Sequence, residues 1–394
     1  MSEIDWDQVA TVWAAIGLRK AALAYGCWGR RFVRYCAARN EDVLACLTRD
    51  QAFRAFSWVR VRRGQRPFVQ AVGSVRALSF ALSSIGWRVP PWTDPKPELA
   101  AAPPLVEEFT VYRRKHGGVA CVTAREDAAR MKRFLSFLRE RGRSARRVRI
   151  VDVDEFVASW GATHAPKSVR LLCATLRAFM GFLRVSGRID KDLASHVEGP
   201  RVRGVDRPPR ALPWTDVCRI LRAVDVRHAP GRRDYAILLT MALYGMGSAE
   251  LRGLQLDDID WKARTLRVQR VKTGVVTSLP LLDPVARALV AYIRHERPPH
   301  GTRAVFLSGR IPIGPISTGF LRERIHKYAA KAGVRASFLG THVFRYSHAV
   351  RHVTGGASVR VVGDILGHKY PATTCAYLRG SIEGLRSVAL PVPR

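Results

Sequence analysis

Apolar residues recur every three to four positions along most of this chain, a spacing that predicts amphipathic helices. One long helix is expected at about 167–186, where the apolar residues from Leu172 to Leu183 fall on one face. Gly187 marks its end. Shorter helices are expected at about 215–224, 232–244 and 317–332.

One stretch alternates with a period of two instead. Residues 265–271 and 276–281 alternate apolar and polar positions on either side of Thr273-Gly274, which predicts an antiparallel hairpin. The predicted fold class is therefore mainly α, with helical regions followed by an α+β domain that contains a small antiparallel sheet.

Proline divides the chain. The segment from Val89 to Pro104 carries six prolines in sixteen residues, a density that excludes both a helix and a central strand. A second segment rich in Pro, Gly and Arg begins near residue 200. We expect a helical accessory domain at 1–89, a linker at 90–104, a helical domain at 105–199, a basic linker at 200–211 and a last domain at 212–394. The first domain could contact DNA or another subunit, or be a plain helical domain.

The charge balance narrows the partners. Lys and Arg number 66 against 32 Asp and Glu, which gives a net charge of +34. Such an excess repels itself in a compact fold unless a polyanion shares the surface, so double-stranded DNA is the expected partner. An anionic membrane is the alternative, but no stretch approaches about eighteen uninterrupted apolar residues.

The cysteines and histidines predict no metal centre. Seven cysteines are scattered without a C-x-x-C pair, which indicates reduced thiols in a cytosolic protein. His348 and His352 lie four residues apart, but no Glu or Cys accompanies them at ligand spacing. The acidic N-terminus lacks a signal-peptide pattern. We expect a cytoplasmic, nucleoid-associated protein with no metal and no cofactor.

Arginine is concentrated in the stretch 139–149 and in the linker that follows residue 199. A charged run often does no more than face solvent. In so basic a chain we expect contacts to phosphates, which position a protein on DNA without reading bases. The predicted DNA-binding residues are Arg139, Arg141, Arg143, Arg146, Arg147, Arg201, Arg203, Arg207 and Arg210.

The candidate chemistry lies between Thr341 and Arg379. His342 and Arg345 are three residues apart, and Leu366-Gly367-His368 ends a second apolar segment where Gly367 would stop a helix. Tyr377 follows nine residues after His368. A phenol can act as a covalent nucleophile, and a guanidinium matches a phosphate oxyanion. The set suggests attack by Tyr377 on a phosphodiester.

This order of His-x-x-Arg, Leu-Gly-His and a later Tyr resembles the C-terminal signature of the tyrosine recombinase (phage-integrase-like) family. The resemblance implies a SAM-like helical core-binding domain at 105–199 and an α+β catalytic domain at 212–394. It also implies roles. Tyr377 would form a 3′-phosphotyrosine, and Lys272, at the predicted hairpin, would protonate the leaving 5′ oxygen.

The remaining roles concern the phosphate. Arg345 would stabilise its non-bridging oxygens, His342 would exchange the proton of the tyrosine, and His368 would hydrogen-bond the phosphate. A second strand would then attack the phosphotyrosine, so neither metal nor nucleotide is needed. The implied function is a site-specific recombinase or integrase of a mobile element, working as a homo- or hetero-oligomer in a tetrameric synapse on DNA. A topoisomerase of the same chemistry is a further alternative.

One position departs from the family pattern. Where relatives carry a first catalytic arginine at a helix end, this chain has Gly247. Losing one such donor costs ~10²–10³ in rate. Arg252 is five residues on and points elsewhere on a helix; Arg379 or an arginine of another subunit could fill the gap. The alternative function is a cleavage-impaired architectural subunit that acts with an active recombinase.

Overall fold

The structure, a computed structural model, describes residues 4–16, 22–92, 103–201, 211–227, 229–271, 274–309 and 313–367. It is mainly helical with one small three-stranded antiparallel sheet, so the predicted fold class is confirmed. The described residues fall into two compact units, one from 1–94 together with 208–394, the other from 95–207. None of the described helices has the length and apolar content to cross a lipid bilayer.

Four helices form the N-terminal part of the first unit: α1 (Trp6–Ala15), α2 (Ala22–Ala37), α3 (Arg49–Arg63) and α4 (Gln65–Ser84). They share one apolar core that runs from Val9 to Leu82. Asp5 caps α1 by accepting hydrogen bonds from backbone N–H groups of its first turn, the ordinary role of Asp at that position. Just after α1, Ile16 packs on a small cluster that contains Leu307 of the C-terminal part.

The second unit is a bundle of α5 (Pro104–Lys115), α6 (Cys121–Glu140), α7 (Ile150–Gly161) and α8 (Pro166–Val185). The apolar face predicted for the long helix forms the centre of its core, and Gly187 follows with φ +65°. Asp127, almost fully buried, accepts from Arg113 of α5 and Thr175 of α8, which ties three helices together.

The C-terminal part contains α9 (Trp214–Arg222), α10 (Gly231–Tyr244), α11 (Ser248–Gly253), α12 (Asp283–His295), α13 (Thr318–Lys331), α14 (Val343–Thr354) and α15 (Val359–Leu366). The sheet has the strand order β1 (Ile259–Asp260), β2 (Thr265–Gln269) and β3 (Val276–Pro280), each antiparallel to its neighbour. The strand pair β2–β3 is the hairpin predicted from the alternation.

Helix α10 runs through the core of this part and ends in Gly245, which adopts φ +60°. A Cβ at Gly245 would lie 2.6 Å from a methyl of Leu366 and 2.8 Å from the ring of His348. Glycine is needed there for both reasons, because the conformation is left-handed and because α14 and α15 approach closely. The end of α10 thus meets the two helices that carry the predicted chemistry.

Candidate active site

Arg345 lies on the third residue of α14 and is 7% exposed. Its Nη1 donates to Glu250 Oε2 at 3.0 Å and to the carbonyl oxygen of Gly245 at 3.1 Å, and its Nη2 donates to the carbonyl oxygen of Leu366. Three separate elements therefore hold this guanidinium in one orientation. His342 is the residue before α14 and is exposed.

Glu250 supplies the carboxylate that Arg345 contacts. It is the third residue of α11, and its Oε2 accepts the N–H of Gly247 at 2.7 Å, so the side chain folds back on the start of its own helix. The same oxygen lies 3.0 Å from Nη1 of Arg345 and 3.0 Å from Nη1 of Arg270. One carboxylate oxygen is thus shared by a backbone donor and two guanidinium groups.

Arg270 follows β2 and is 1% exposed. Along this strand Leu266, Val268 and Arg270 point inward, in alternation with exposed neighbours. The backbone of Arg270 is held at the neck of the hairpin, since its N–H donates to Val275 and its carbonyl accepts from Gly274. Its Nη2 donates to the carbonyl oxygen of Ile365.

Gly367 lies directly against the side chain of Arg270. It ends α15 with φ +68°, and a Cβ there would lie 2.7 Å from Cδ of Arg270. The glycine of the Leu-Gly-His motif therefore stops the helix, as predicted, and leaves room for the arginine stem.

Positive charge exceeds negative charge around Glu250 among the described residues. Among the described residues, the carboxylate of Glu250 faces two guanidinium groups. Burial lowers the pKa of Arg270, the Glu250 carboxylate opposes that change, and the charge of Arg345 adds to it. Within the described part of the chain, neither Nε nor Nη1 of Arg270 has a hydrogen-bond partner, although Nη1 lies at ion-pair distance from Glu250. Among the described residues, this site therefore has an unused donor and more positive than negative charge.

His348 is a structural neighbour of the site. It is 3% exposed, and its Nδ1 donates to the carbonyl oxygen of Ala242 at 3.1 Å. Burial, chiefly, lowers its pKa to about 4, so the ring is neutral at pH 7. The ring of His352 lies 4.3 Å away, but neither histidine belongs to a group of three or more metal-ligating side chains among the described residues.

One group of donors elsewhere has metal-ligand geometry. Cys36, Glu41 and Cys46, in the N-terminal part, place their ligand atoms within 4.8 Å of one another. Burial raises the pKa of both thiols, that of Cys36 to about 12, so the thiols are protonated at neutral pH. Structural zinc uses four deprotonated or neutral-imidazole donors, and the described residues bring three. We assign no metal to this group.

Several predicted site residues lie outside the described residues: Lys272, His368, Tyr377, Arg203, Arg207 and Arg210. Their positions stay predictions. Arg252, which follows the departure at Gly247, is occupied elsewhere: its Nε donates to the carbonyl oxygen of Ile316 and its Nη1 to Thr318.

The predicted DNA-binding arginines differ in their surroundings. Arg141 pairs with Glu155 at 3.2 Å, and Arg143 pairs with the buried carboxylate of Asp152 at 3.0 Å. The others in the described part of the chain, Arg139, Arg146, Arg147 and Arg201, are exposed and form no ion pair with a described residue.

Two residues of the site escape the sequence-based prediction. Glu250 belongs to the stretch that was compared with the family motif, and Arg270 belongs to the predicted hairpin. The alternation of β2 contained a usable signal, because it puts Arg270 on the inward face with Leu266 and Val268. A charged residue on an inward face requires a partner.

Comparisons with known proteins identify relatives of this chain. The family model described as the phage integrase family matches residues 211–383. The integrase/recombinase y4rA of Sinorhizobium fredii is 36% identical over 66% of this chain, which spans 64% of that protein. The tyrosine recombinase XerD of Mycobacterium tuberculosis is 31% identical over 72% of this chain and 94% of its own length.

Among solved structures, a lambda integrase tetramer bound to a Holliday junction has a TM-score of 0.56. The match covers 70% of this chain and 76% of that chain at 16% identity, so the likeness concerns the fold. Together with the XerD match, which extends over nearly all of that enzyme, these findings show that the chain belongs to the tyrosine recombinase (phage integrase) family.

Proposed function

We propose that this protein is a site-specific DNA recombinase or integrase, carried by a mobile element, that cuts and rejoins DNA through a 3′-phosphotyrosine. The observation that carries the proposal is Arg345, a guanidinium that α10, α11 and α15 hold rigidly in a member of this family. A preorganised cation of this kind stabilises charge that develops on a phosphate without reorganising first. The chain acts in the cytoplasm, at the nucleoid.

The roles follow the motif. Tyr377 attacks the phosphorus and Lys272 protonates the 5′ oxygen that leaves. Arg345 holds the non-bridging oxygens, while His342 takes the proton of the phenol and His368 hydrogen-bonds the phosphate. The 5′ hydroxyl of a second strand then displaces the tyrosine, which conserves the energy of the phosphodiester bond. No metal and no cofactor takes part.

Trapping of the covalent intermediate tests this proposal. The probe is a pool of duplexes with randomised sequence and a nick close to each candidate cleavage point, so that the short 5′-hydroxyl fragment diffuses away and rejoining fails. Wild-type protein is expected to give adducts that survive a denaturing gel, and Tyr377→Phe none. The control is Tyr235→Phe, at a part-buried tyrosine of α10, which is expected to keep the adducts. Absence of any adduct from the whole pool contradicts the proposal.

Exposed arginines of the second unit supply the proposed DNA contacts. Each phosphate neutralised on B-DNA contributes about 0.9 to the slope of log affinity against log salt. Replacing Arg146 and Arg147 together with Gln is therefore expected to lower that slope by about 2. The control Arg143→Gln removes a guanidinium already paired with Asp152 and is expected to change it less. Filter binding over a salt series measures both.

The working form is an oligomer on DNA, as in the lambda integrase tetramer bound to a Holliday junction, whose fold this chain shares. A homo- or hetero-tetrameric synapse fits a reaction in which two duplexes exchange strands. Mass photometry of the protein with its selected duplex measures the number of subunits; a complex of one subunit on one duplex contradicts the synapse.

Gly247 favours a second candidate, a cleavage-impaired subunit that binds DNA beside an active recombinase. In that case the protein alone gives adducts slowly, and Gly247→Arg raises the rate by about 10²–10³ because a missing donor is restored. An unchanged rate in Gly247→Arg argues against this candidate.

A further inference from the structure

We propose that Arg270 supplies the phosphate-stabilising guanidinium that the family motif would place at residue 247. This inference rests on the proposed function. It deepens that function by naming a catalytic residue on a different element, the hairpin, in a chain whose helix-end position is glycine.

Geometry is the first support. Nη1 of Arg270 and Nη1 of Arg345 each lie 3.0 Å from Oε2 of Glu250, so the two nitrogens can be no further apart than twice that distance. That spacing suits two cations that grip different oxygens of one phosphate. Arg270 therefore stands beside the predicted catalytic arginine, and both share one orienting carboxylate.

The position of Gly247 is the second support. A Cβ built on Gly247 would lie 3.6 Å from the same Oε2 and 3.9 Å from Nη1 of Arg345, and φ is −74°. The backbone accepts a side chain there, and that side chain would start next to Glu250. The carboxylate that a residue 247 arginine would meet is the one that Arg270 meets from the hairpin side.

Unused bonding capacity is the third support. Nε of Arg270 lacks a hydrogen-bond partner among the described residues, and Nη1 is engaged there only by its ion pair with Glu250, although the residue is 1% exposed. Buried donors are normally satisfied, and an orphaned donor is a cost that an incoming anion removes. Arg345 is sheltered to a similar degree, at 7% exposed, so burial does not distinguish the two arginines.

A purely structural role predicts something different. Nη2 of Arg270 donates to the carbonyl oxygen of Ile365, so the side chain also ties the hairpin to α15. If that tie were its whole purpose, loss of Arg270 would lower stability, and a guanidinium placed at residue 247 would restore nothing. The experiment therefore has to separate cleavage from folding.

Arg270→Met retains much of the aliphatic stem and removes the charge. With the duplex selected by the wild type, we expect its rate of adduct formation to fall by about 10²–10³. The double variant Arg270→Met/Gly247→Arg is expected to recover most of that loss, and Gly247→Arg alone to change the rate little. The matched control is Arg267→Met, on the exposed face of the same strand, which is expected to keep the wild-type rate.

A second substrate tests the role directly. Replacing one non-bridging oxygen of the scissile phosphate with a methyl group removes the charge that Arg270 would stabilise, so the deficit of Arg270→Met should shrink on it. Arg270→Lys, which keeps the charge and loses the planar fork, serves if the Met variant does not fold. A wild-type rate in a folded Arg270 variant, an equal deficit on both substrates, or no recovery on adding Gly247→Arg overturns the inference.

A binding measurement separates this inference from the proposed function. Inorganic phosphate is expected to raise the melting temperature of wild type and of Arg267→Met more than that of Arg270→Met. Wild type without adducts but with this difference refutes the recombinase and leaves an anion site at Arg270. Wild type with adducts and no difference among the three proteins counts against Arg270 alone.

Discussion

Two carboxylates in the C-terminal part of the chain, that of the buried Asp234 and that of the part-buried Glu250, each face two guanidinium groups, yet their surroundings differ. Asp234 is fully buried and accepts from Nε and Nη2 of Arg233 at 3.1 and 3.0 Å and from the hydroxyl of Tyr328 at 2.8 Å. Arg324, its second cation, is shared with the carboxylate of Glu323. Among these four described residues, two positive charges therefore face two negative ones.

The cluster around Glu250 has one negative charge for two positive ones among the described residues. Arg270 and Arg345 share a single oxygen of Glu250, and Nε of Arg270 has no hydrogen-bond partner in the described part of the chain. We expect the first cluster to hold helices together, and we propose that the surplus positive charge of the second is neutralised by a phosphate.

The largest expected effect is a loss of stability when the cluster around Asp234 is disrupted. Asp234→Ala leaves two buried guanidinium groups without their shared carboxylate, so the free energy of unfolding is expected to fall by about 3–5 kcal/mol. Tyr328→Phe removes one neutral donor and is expected to cost about 1 kcal/mol. Denaturation in guanidinium chloride measures both. A loss below that of Tyr328→Phe would refute the structural role of Asp234.

The next effect concerns chemistry and not folding. Arg345→Lys keeps a charge but loses the fork that reaches Glu250, Gly245 and Leu366 at once. Adduct formation on the selected duplex is expected to slow by about 10²–10³. The circular dichroism spectrum should be unchanged. Wild-type rates in Arg345→Lys would remove the central support of the proposed function.

Glu250→Gln sharpens the contrast between the clusters. It keeps an oxygen for the N–H of Gly247 but removes the only negative charge that faces Arg270 and Arg345 among the described residues, so we expect a loss of about 1–3 kcal/mol. Inorganic phosphate should restore part of that loss, because an anion replaces the missing charge. Asp234→Ala should gain no more from phosphate than wild type does. Melting curves with and without phosphate check this.

The last effect is a pH dependence beside the site. Because burial lowers the pKa of His348 from 6.5 to about 4, the folded state favours the neutral ring. Its contribution to stability is complete above pH 6.5 and is lost as the pH falls from 6.5 toward 4. His348→Gln should therefore make the unfolding free energy depend less on pH in that window. A wild-type slope in His348→Gln contradicts this assignment.

Local pattern predicted much of the fold. The long helix expected at about 167–186 is Pro166–Val185, and the alternating stretches are the paired strands Thr265–Gln269 and Val276–Pro280. The helix stop at Gly367 is likewise confirmed. These features depend on residues close in sequence, where side-chain periodicity and glycine conformation decide the outcome.

The site was predicted in part. Motif spacing predicted Arg345. Glu250 and Arg270 were recognised as site residues only from the tertiary structure, in which α11, α14 and the hairpin lie side by side. Nothing in the sequence around Gly247 indicates that Arg270, twenty-three positions later, approaches the carboxylate of Glu250. Charge balance in a buried cluster is a property of three-dimensional neighbours and has no local sequence signature.

The sequence by itself determined that this chain is helical and basic, with a small hairpin, and that it carries the motif of a tyrosine recombinase. Periodicity, net charge and motif spacing are properties of the linear order of residues. Only the tertiary structure decided that one carboxylate serves both Arg270 and Arg345, because elements far apart in sequence converge at the end of α10. The physical reason is that a buried cation has to find its counter-charge in space, wherever the chain provides it.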